Sequence, residues 1–406
     1  MKEKTGLDAF LASHREKEKA SFHMPGHKGS SFFARLGYGD LTADYDITEI
    51  PGADDLRHAE SVIREISDRY SELYGSRRSF ISVNGSSALI MAAIMSQVKR
   101  GHRIIAASDS HISVRNGIEL AGAVPVYADP VTLEEDRTDE AFAAPCQIYN
   151  GEKPGIPGGL KSGIVADLMD SNDDVDAVIL PSPNYFGIVS DIGKIADEVH
   201  KRNGVLIVDQ AHGAHLKMFR DAGLDVLPVP AEECGADIVI DSTHKTLASF
   251  TQSAVVNIFG ERVDPDSYEQ VLLLFESTSP SYLLMDSLAV NSEIVKEHGD
   301  ELAKEWADCL KYFYSEVKSI EGIRVLTRDH MIGADFDSSK IVIDFSGLSL
   351  MGEQAENELI ERGVYPEFNT GSIVMCLTGI GNVREDYIAL LDALRDISEG
   401  HLVWKQ

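Results

Sequence analysis

The middle of the chain alternates between short apolar runs and segments whose apolar residues recur at helical spacing. The apolar runs predict strands at residues 80–83, 103–107, 124–127, 175–180, 205–208, 238–240 and 253–259, and other segments predict helices at 88–98, 110–121 and 192–201. Strands that alternate with helices indicate a mostly parallel, doubly wound α/β sheet covered on both faces. Ligands of such sheets bind beyond the carboxyl ends of the strands.

The two ends of the chain follow different patterns. Residues 1–58 are interpreted as an N-terminal arm with irregular loops, and 129–159 as a long surface excursion. The remaining helices are predicted at 59–74, 266–275, 282–298, 301–319, 351–361 and 385–398, with further strands at 340–345 and 373–377. We therefore predict a large domain at 59–295 and a small C-terminal α+β domain at 296–406, joined by a long helix.

Composition narrows the class of protein. With 43% hydrophobic and 25% charged residues among 406, the chain is typical of a soluble globular protein of two or more domains. The absence of a long apolar run or an apolar signal core predicts a cytoplasmic protein without a membrane partner. The four cysteines are far apart, which favours reduced thiols over a zinc site.

The net charge of −29 disfavours nucleic acid as a partner, because phosphates demand a basic surface. The same charge could attract a cationic small molecule, or it could only keep the surface solvated. Both interpretations stay open at this point.

Polar residues follow five of the predicted strands. Because the carboxyl ends of parallel strands meet at one edge of a sheet, these residues are expected to surround one crevice. They lie at 84–87, 108–111, 183–185, 209–212 and 242–245.

A lysine and an aspartate at two of these strand ends suggest a cofactor. Lys245 follows the apolar run 236–240, and Asp209 ends the run 205–208. Such a pair can hold pyridoxal phosphate, the lysine as a Schiff base and the aspartate against the pyridinium nitrogen. Acids and lysines are also common at strand ends, so the pair alone does not establish the site.

The other strand ends supply chemistry that suits the same cofactor. Ser86 and Ser87 open a helix, where they could bind a phosphate or simply cap the helix. Ser242 and His244 could serve the same phosphate from the lysine side. His111, at a helix start, could stack on a ring or act as a cap.

Two other kinds of site are poorly supported by the sequence. His212 and His215 have a spacing that can meet a metal, but an HExxH pattern and a cysteine partner are missing, so no metal is predicted. The G-x-S-x-G elbow of a serine hydrolase is also missing.

Several motifs together resemble the ornithine/lysine/arginine decarboxylase family. They are Phe22-His23-Met24-Pro25-Gly26-His27-Lys28-Gly29, Val83-Asn84-Gly85-Ser86-Ser87, Asp209 with Ala211-His212-Gly213-Ala214-His215, Ser242-Thr243-His244-Lys245-Thr246-Leu247 and Ser277-Thr278-Ser279-Pro280-Ser281-Tyr282. The resemblance implies the aspartate-aminotransferase-like fold (fold type I), with 59–295 as the domain that binds pyridoxal 5'-phosphate.

The resemblance also implies roles for single residues. Lys245 resembles the Schiff-base lysine, Asp209 the pyridinium partner and His111 the stacking imidazole, while His212 would contact the ring or the substrate. The resemblance places Ser86, Ser87, Ser242 and His244 in the phosphate cradle, Asn184 near the phenolic oxygen of the cofactor, and Thr278 and Ser279 at the neighbouring subunit's cofactor. A homodimer with shared active sites is therefore expected.

The activity implied is decarboxylation of lysine, ornithine or arginine to the corresponding amine via an external aldimine, as in polyamine biosynthesis. Glu367 is a candidate acceptor for the distal cation of the substrate. Three departures from the family pattern stand out: Gln210 stands where the family usually has glutamate, Asn184 replaces a more usual threonine, and longer members continue beyond the length of this chain. The difference in length leaves the identity of the substrate open. A pyridoxal-phosphate aminotransferase or lyase and a non-catalytic regulatory homologue are the alternatives.

Overall fold

The computed structural model describes residues 19–22, 30–38, 54–136 and 156–402. The Pro-Gly loop predicted at 23–29, the greater part of the acidic loop after residue 44 and residues 137–155 of the predicted surface excursion lie outside these ranges.

The strands, numbered in chain order, are β1 Ala20–Ser21, β2 Arg78–Ser82, β3 Arg103–Ala107, β4 Val124–Ala128, β5 Val175–Pro181, β6 Ile188–Val189, β7 Val205–Asp209, β8 Ile238–Asp241, β9 Ala254–Ile258, β10 Arg324–Val325, β11 Asp335–Phe336, β12 Lys340–Asp344, β13 Val364–Tyr365, β14 Phe368–Thr370 and β15 Ile373–Leu377. The α-helices are α1 Ser30–Arg35, α2 Val62–Tyr74, α3 Gly85–Gln97, α4 Ile112–Ala121, α5 Ser162–Ser171, α6 Ile192–Lys201, α7 Leu216–Asp221, α8 Thr243–Thr246, α9 Pro265–Leu272, α10 Tyr282–Glu316, α11 Gly352–Glu361 and α12 Arg384–Leu402.

The large sheet has seven strands in the order β2-β9-β8-β7-β5-β3-β4. Strand β9 runs antiparallel to both of its neighbours, and the other adjacent pairs are parallel. Helices α3, α4 and α9 pack on one face and α5 and α6 on the other, each through a cluster of buried aliphatic side chains. The predicted mostly parallel, doubly wound sheet is confirmed.

The C-terminal part of the chain forms a second, antiparallel sheet. Its order is β10-β12-β15-β14, and α11 and α12 pack beside it. Strand β1 pairs in parallel with β13, so the chain just before the Pro-Gly loop joins the C-terminal elements. The division into domains at 59–295 and 296–406 stays a prediction.

Helix α10 differs from the sequence prediction, which placed two helices on either side of Gly299. The helix runs unbroken through Gly299, which is buried against α7. A Cβ at residue 299 would lie 3.3 Å from Met218 Cγ, so the missing side chain permits close approach of the two helices. Glycine here serves helix packing and does not end the helix.

Helix α5 was not predicted, although it follows the excursion directly. Val165 and Met169 are buried on its inner face at i, i+4 spacing, a signal that the sequence contains. Among the described residues, no helix is both long and apolar enough to cross a membrane.

Candidate active site

The parallel strands bring the polar strand ends to one edge of the large sheet. Strands β3, β5, β7 and β8 run in the same direction, and β2 joins them because it is antiparallel to β9. The residues that follow these strands therefore line one side of a crevice, as the alternation of strands and helices predicted.

Lys245 lies in the short helix α8, directly after β8. Its Nζ is 3.0 Å from His212 Nε2. Burial lowers the pKa of the amine, while Asp209 and Glu367 oppose that shift. A lowered pKa increases the fraction of neutral amine, which is the form that attacks a carbonyl carbon.

Asp209 ends β7, the neighbour of β8 in the sheet. The residue is 6% exposed, and its Oδ1 accepts a hydrogen bond from Ala211 N at 3.2 Å. Burial raises the pKa of the carboxyl, and the charges of Lys245 and His111 oppose the shift. A cation placed beside this carboxyl would favour its ionised form.

His111 caps a helix, which is one of the two roles that the sequence left open, and its stacking on a ring stays a prediction. Its Nδ1 accepts from Ser113 N at 3.3 Å and so caps helix α4. Burial lowers the pKa of the imidazole, Asp209 raises it and Lys245 lowers it, so the ring lies within electrostatic reach of both. The capping bond fixes the ring at the edge of the crevice.

Two hydroxyls meet at the start of helix α3. Ser242 Oγ donates to Ser86 Oγ at 2.8 Å, which joins the β8–α8 turn to the first turn of α3, where Ser87 also lies. Gly85 begins this helix with φ +78, a conformation that favours glycine. Helix N-termini present backbone N–H groups that bind anions, so the place suits a phosphate.

His244 follows Ser242 by two residues. Its Nδ1 is 2.7 Å from Ser253 O and donates to it, because a carbonyl oxygen can only accept. Burial lowers the pKa of this imidazole to about 4. The ring would have to gain a second proton, on Nε2, before it could donate to a phosphate. The predicted role of His244 in the phosphate cradle therefore depends on the charge of the anion.

Asn184 forms hydrogen bonds with nearby backbone groups. Its Nδ2 donates to Pro157 O at 3.0 Å, and its Oδ1 accepts from Phe186 N and Ile188 N at 3.1 and 3.0 Å. These bonds give Asn184 a clear part in shaping the loop after β5. Its contact with the cofactor stays a prediction.

Thr278 and Ser279 are exposed in the loop between α9 and α10. Asn84 Nδ2 donates to Phe275 O at 2.9 Å, which holds this loop beside the start of α3. An exposed loop next to the proposed phosphate site is compatible with a shared active site, which stays a prediction.

The C-terminal part of the chain supplies Lys340, which was not predicted from the sequence, and Glu367, which was named only as a candidate. Lys340, the first residue of β12, is 0% exposed, and its Nζ lies 3.2 Å from His212 Nδ1. Tyr185 packs its ring edge-on to the His212 ring at 5.1 Å and donates to Glu367 Oε1 at 3.2 Å. A lysine directly before the apolar run 341–343 was the one sequence signal for Lys340.

His215, three residues after His212, is fully buried. Its Nε2 is 3.0 Å from Ser339 Oγ and 3.4 Å from Asp337 Oδ1, and its ring lies 4.9 Å from the Trp306 ring. The two histidines therefore have different partners. Among the described residues, no cluster of three or more His, Cys, Asp or Glu side chains could hold a metal ion.

Gln210 joins two buried acids next to Asp209. Its Nε2 lies 2.9 Å from Glu232 Oε2 and 3.1 Å from Asp241 Oδ1, and its Oε1 accepts from Ala231 N. Burial raises the pKa of Glu232 to about 7 and that of Asp241 well above its usual value. The amide has two N–H groups and can donate to both carboxyls, whereas a glutamate at this position would have one donor while protonated and none while ionised.

The raised pKa values of Glu232 and Asp241 predict that the protein becomes less stable as the pH rises. Because their folded-state pKa values exceed the unfolded ones, the stabilisation is present at low pH and is lost as the pH rises through the folded pKa, about 7 for Glu232. Between about pH 5 and about pH 8 the free energy of unfolding should fall by roughly 1–3 kcal/mol. Urea unfolding across this range measures the decline.

Glu232→Gln should flatten that decline, since it removes one of the two carboxyls. Glu399→Gln, on an exposed position of α12, is the matched control and should leave the slope unchanged. Equal slopes in wild type and Glu232→Gln would contradict the assignment.

The residues of the crevice fit pyridoxal phosphate. A lysine amine, an acid, and hydroxyls at a helix start surround it, as described for Lys245, Asp209, Ser86 and Ser242. In addition, the buried Ser110 hydroxyl after β3 has no hydrogen-bond partner among the described residues. An unsatisfied buried hydroxyl is costly unless a polar ligand meets it.

Comparison with solved structures identifies the fold. Lysine decarboxylase A from Pseudomonas aeruginosa superposes with a TM-score of 0.73 at 18% identity, over 97% of this chain and 60% of that one. An aspartate aminotransferase from Thermus thermophilus superposes with a TM-score of 0.64 at 14% identity, over 94% and 99%. The predicted aspartate-aminotransferase-like fold (fold type I) is confirmed.

Comparison of sequences identifies the family. Arginine decarboxylase from Halalkalibacterium halodurans is 28% identical over 407 residues, which cover 98% of this chain and 78% of the relative. This chain spans 60% of the length of the solved lysine decarboxylase. The model of the family "Orn/Lys/Arg decarboxylase, major domain" matches residues 5–343. The chain therefore belongs to the Orn/Lys/Arg decarboxylase family, which its motifs predicted.

Proposed function

We propose that this protein removes the α-carboxyl group of a basic amino acid with pyridoxal phosphate as its cofactor. The observation that carries the proposal is the contact between Lys245 and His212 at the edge of the sheet, with Asp209 and Glu367 within electrostatic reach of the amine. The lowered pKa of the Lys245 amine favours the neutral form that attacks an aldehyde, and the two acids suit a ligand that brings positive charge.

Three residues of the crevice have a defined task in this reaction. Pyridoxal phosphate, when bound, supplies an aldehyde and a ring that accepts the electron pair left by carbon dioxide. Lys245 supplies the neutral amine and receives a proton when the substrate amine takes its place. Asp209 supplies the negative charge that keeps the pyridine nitrogen protonated, and His111 limits the position of the ring.

Glu367 is the best candidate for binding the distal cation of the substrate. It lies in the turn between β13 and β14, across the crevice from the large sheet, and accepts a hydrogen bond from the Tyr185 hydroxyl. Its charge reaches both Lys245 and Lys340, so it faces the place where a substrate amine would react. Arginine, lysine and ornithine all carry a suitable cation, and the overall negative charge favours their approach.

A substrate screen tests the proposal. Purified protein with pyridoxal phosphate is incubated separately with arginine, lysine and ornithine, and the products are identified by mass. We expect carbon dioxide and the corresponding amine from at least one of them. A keto acid would identify an aminotransferase instead, and the absence of any product from related cationic amino acids would reject catalysis.

Replacing Glu367 with glutamine should raise the KM of the preferred amino acid by roughly tenfold, because a charge-assisted contact becomes a neutral one. The kcat should change less, since the reacting atoms keep their partners. Steady-state kinetics with the substrate found in the screen measure both constants.

The control for this prediction is again Glu399→Gln, which lowers the net negative charge equally at an exposed position. An unchanged KM in Glu367→Gln would show that another group binds the distal cation.

A further inference from the structure

His212 lies between two lysine amines. Lys245 Nζ is 3.0 Å from Nε2 of the ring, and Lys340 Nζ is 3.2 Å from Nδ1. The first lysine comes from the large sheet and the second from the C-terminal sheet, so the imidazole connects the two walls of the crevice. The proposed reaction uses Lys245 but leaves Lys340 without a task.

Lys340 is held firmly in place. Its side chain is fully buried, and its stem packs against Gly187, which has φ +90. A Cβ at residue 187 would lie 3.1 Å from Lys340 Cδ and 3.0 Å from Asp337 O, so glycine leaves the space that the stem occupies. A fully buried lysine is uncommon unless its nitrogen has a specific partner.

The hydrogen bonds of the imidazole limit how many protons the two amines carry. Burial and the charges of both lysines lower the pKa of His212 well below its usual value, so the ring is neutral. A neutral imidazole has one N–H donor and one acceptor nitrogen. If both contacts are hydrogen bonds, the amine that faces the ring N–H accepts and must be neutral, and the amine that faces the acceptor nitrogen donates. When the two amines share one extra proton, that donor is an ammonium group.

The surrounding charges leave either amine able to hold the proton. Burial lowers the pKa of Lys340 to about 8, Asp337 opposes that shift, and Lys245 adds to it. The titratable groups that face the three side chains are Asp209, Asp337, Glu367, His111 and His244. Glu367 acts on both lysines and therefore does little to favour one over the other.

We propose that Lys340 holds the proton that Lys245 loses, and that His212 carries the proton between them by changing its tautomer. An N–H bond of Lys245 breaks as Nε2–H forms, while Nδ1–H breaks as an N–H bond forms on Lys340. The positive charge moves from one amine to the other, and the net charge stays constant. The reverse transfer returns the proton to Lys245.

This transfer makes Lys245 nucleophilic without releasing a proton to water. Lys340 is linked to Lys245 by hydrogen-bond distances through the imidazole of His212, so it is a positioning residue that sets the protonation of the nucleophile. The inference rests on the proposed role of Lys245 as the Schiff-base lysine, but it does not depend on which amino acid is used or on decarboxylation.

The test measures how fast cofactor-free protein forms a Schiff base with pyridoxal phosphate between about pH 6 and about pH 10, the range that spans shifted lysine pKa values. The visible absorbance band gives the rate, and borohydride reduction followed by mass mapping identifies the lysine. In wild type the rate should rise with pH as Lys245 loses its proton.

Two substitutions should move this profile in opposite directions. Lys340→Met removes the proton acceptor. The midpoint of the pH–rate profile should therefore rise by about one pH unit, and the rate of Schiff-base formation at neutral pH should fall about tenfold. Lys340→Arg places a permanent cation at Nδ1, which directs Nε2–H at Lys245 and favours its neutral form, so the midpoint should fall. A purely structural role would shift both profiles the same way.

The controls separate this inference from the proposed function. Lys311→Met, at an exposed position of α10, should leave the profile unchanged. If wild type forms its Schiff base at another lysine, the proposed function fails. A second outcome is that wild type forms its Schiff base at Lys245, but the pH–rate profiles of the two Lys340 variants coincide with that of wild type or both shift in the same direction. In that case only the proton relay from Lys245 through His212 to Lys340 is overturned.

A measurement on wild type covers the case in which the variants do not fold. Nitrogen-15 NMR of histidine-labelled protein reports the protonation of each ring nitrogen, with His212→Gln used for assignment. The relay requires His212 to stay neutral across the same pH range and to populate both tautomers. A His212 ring that gains a second proton near pH 6.5, the ordinary value for histidine, would overturn it.

Discussion

Replacing Lys245 with alanine should lower the rate of carbon dioxide release by roughly 10³-fold or more, because the variant lacks the amine that attacks the cofactor. The visible absorbance of the Schiff base should disappear at the same time, even in excess pyridoxal phosphate. The two readouts are a radiometric or coupled assay for carbon dioxide and an absorbance spectrum of the purified variant.

The matched control is Lys311→Ala, which removes an exposed lysine of α10 and should retain both activity and absorbance. Because Lys245 is largely buried and contacts His212, the fold of the variant is checked by circular dichroism and thermal unfolding. A well-folded Lys245→Ala protein that keeps its absorbance band would place the Schiff base on another lysine.

Sequence patterns could predict one wall of the crevice because a local rule applies there. Lys245, Asp209 and His212 each follow a strand of one parallel sheet, and such positions share an edge wherever strands alternate with helices. The contact between Lys245 and His212 is an example, because it joins residues that follow two neighbouring strands.

The opposite wall could not be predicted in the same way. Lys340 lies in a small antiparallel sheet, and Glu367 lies in the turn that precedes strand β14 of that sheet. The position of these elements against the crevice depends on tertiary packing that leaves no periodic signal. Lys340 lies 128 positions from His212 along the chain, and Glu367 lies 182 positions from Tyr185. Glu367 was suggested only because an acid was needed for a cationic substrate.

Gln210 differs from the glutamate that the family resemblance leads one to expect, and the sequence alone does not explain the difference. Its departure from the family's glutamate is visible in the motif, whereas its partners Glu232 and Asp241 lie 22 and 31 positions away. Only the folded chain shows that the amide donates to both carboxyls. Local sequence therefore identified the unusual residue, and packing gave the reason for it.

Asp209→Asn should lower decarboxylation by about 10²–10³-fold, since the pyridine nitrogen loses the negative charge that keeps it protonated. The same substitution should raise the stability of the cofactor-free protein by about 1 kcal/mol near pH 8. The sign follows from the raised pKa of the buried carboxyl: its ionisation above that pKa costs folding free energy, and asparagine has no charge to bury. The amide oxygen can still accept from Ala211 N.

Urea unfolding without cofactor and carbon dioxide release with cofactor measure the two effects on the same preparations. Asp300→Asn, at an exposed position of α10, should change neither. Lower stability together with lower activity would mean that Asp209 mainly supports the fold. Higher stability with lower activity would mean that the chain keeps a destabilising acid in place for its cofactor, as active sites commonly do.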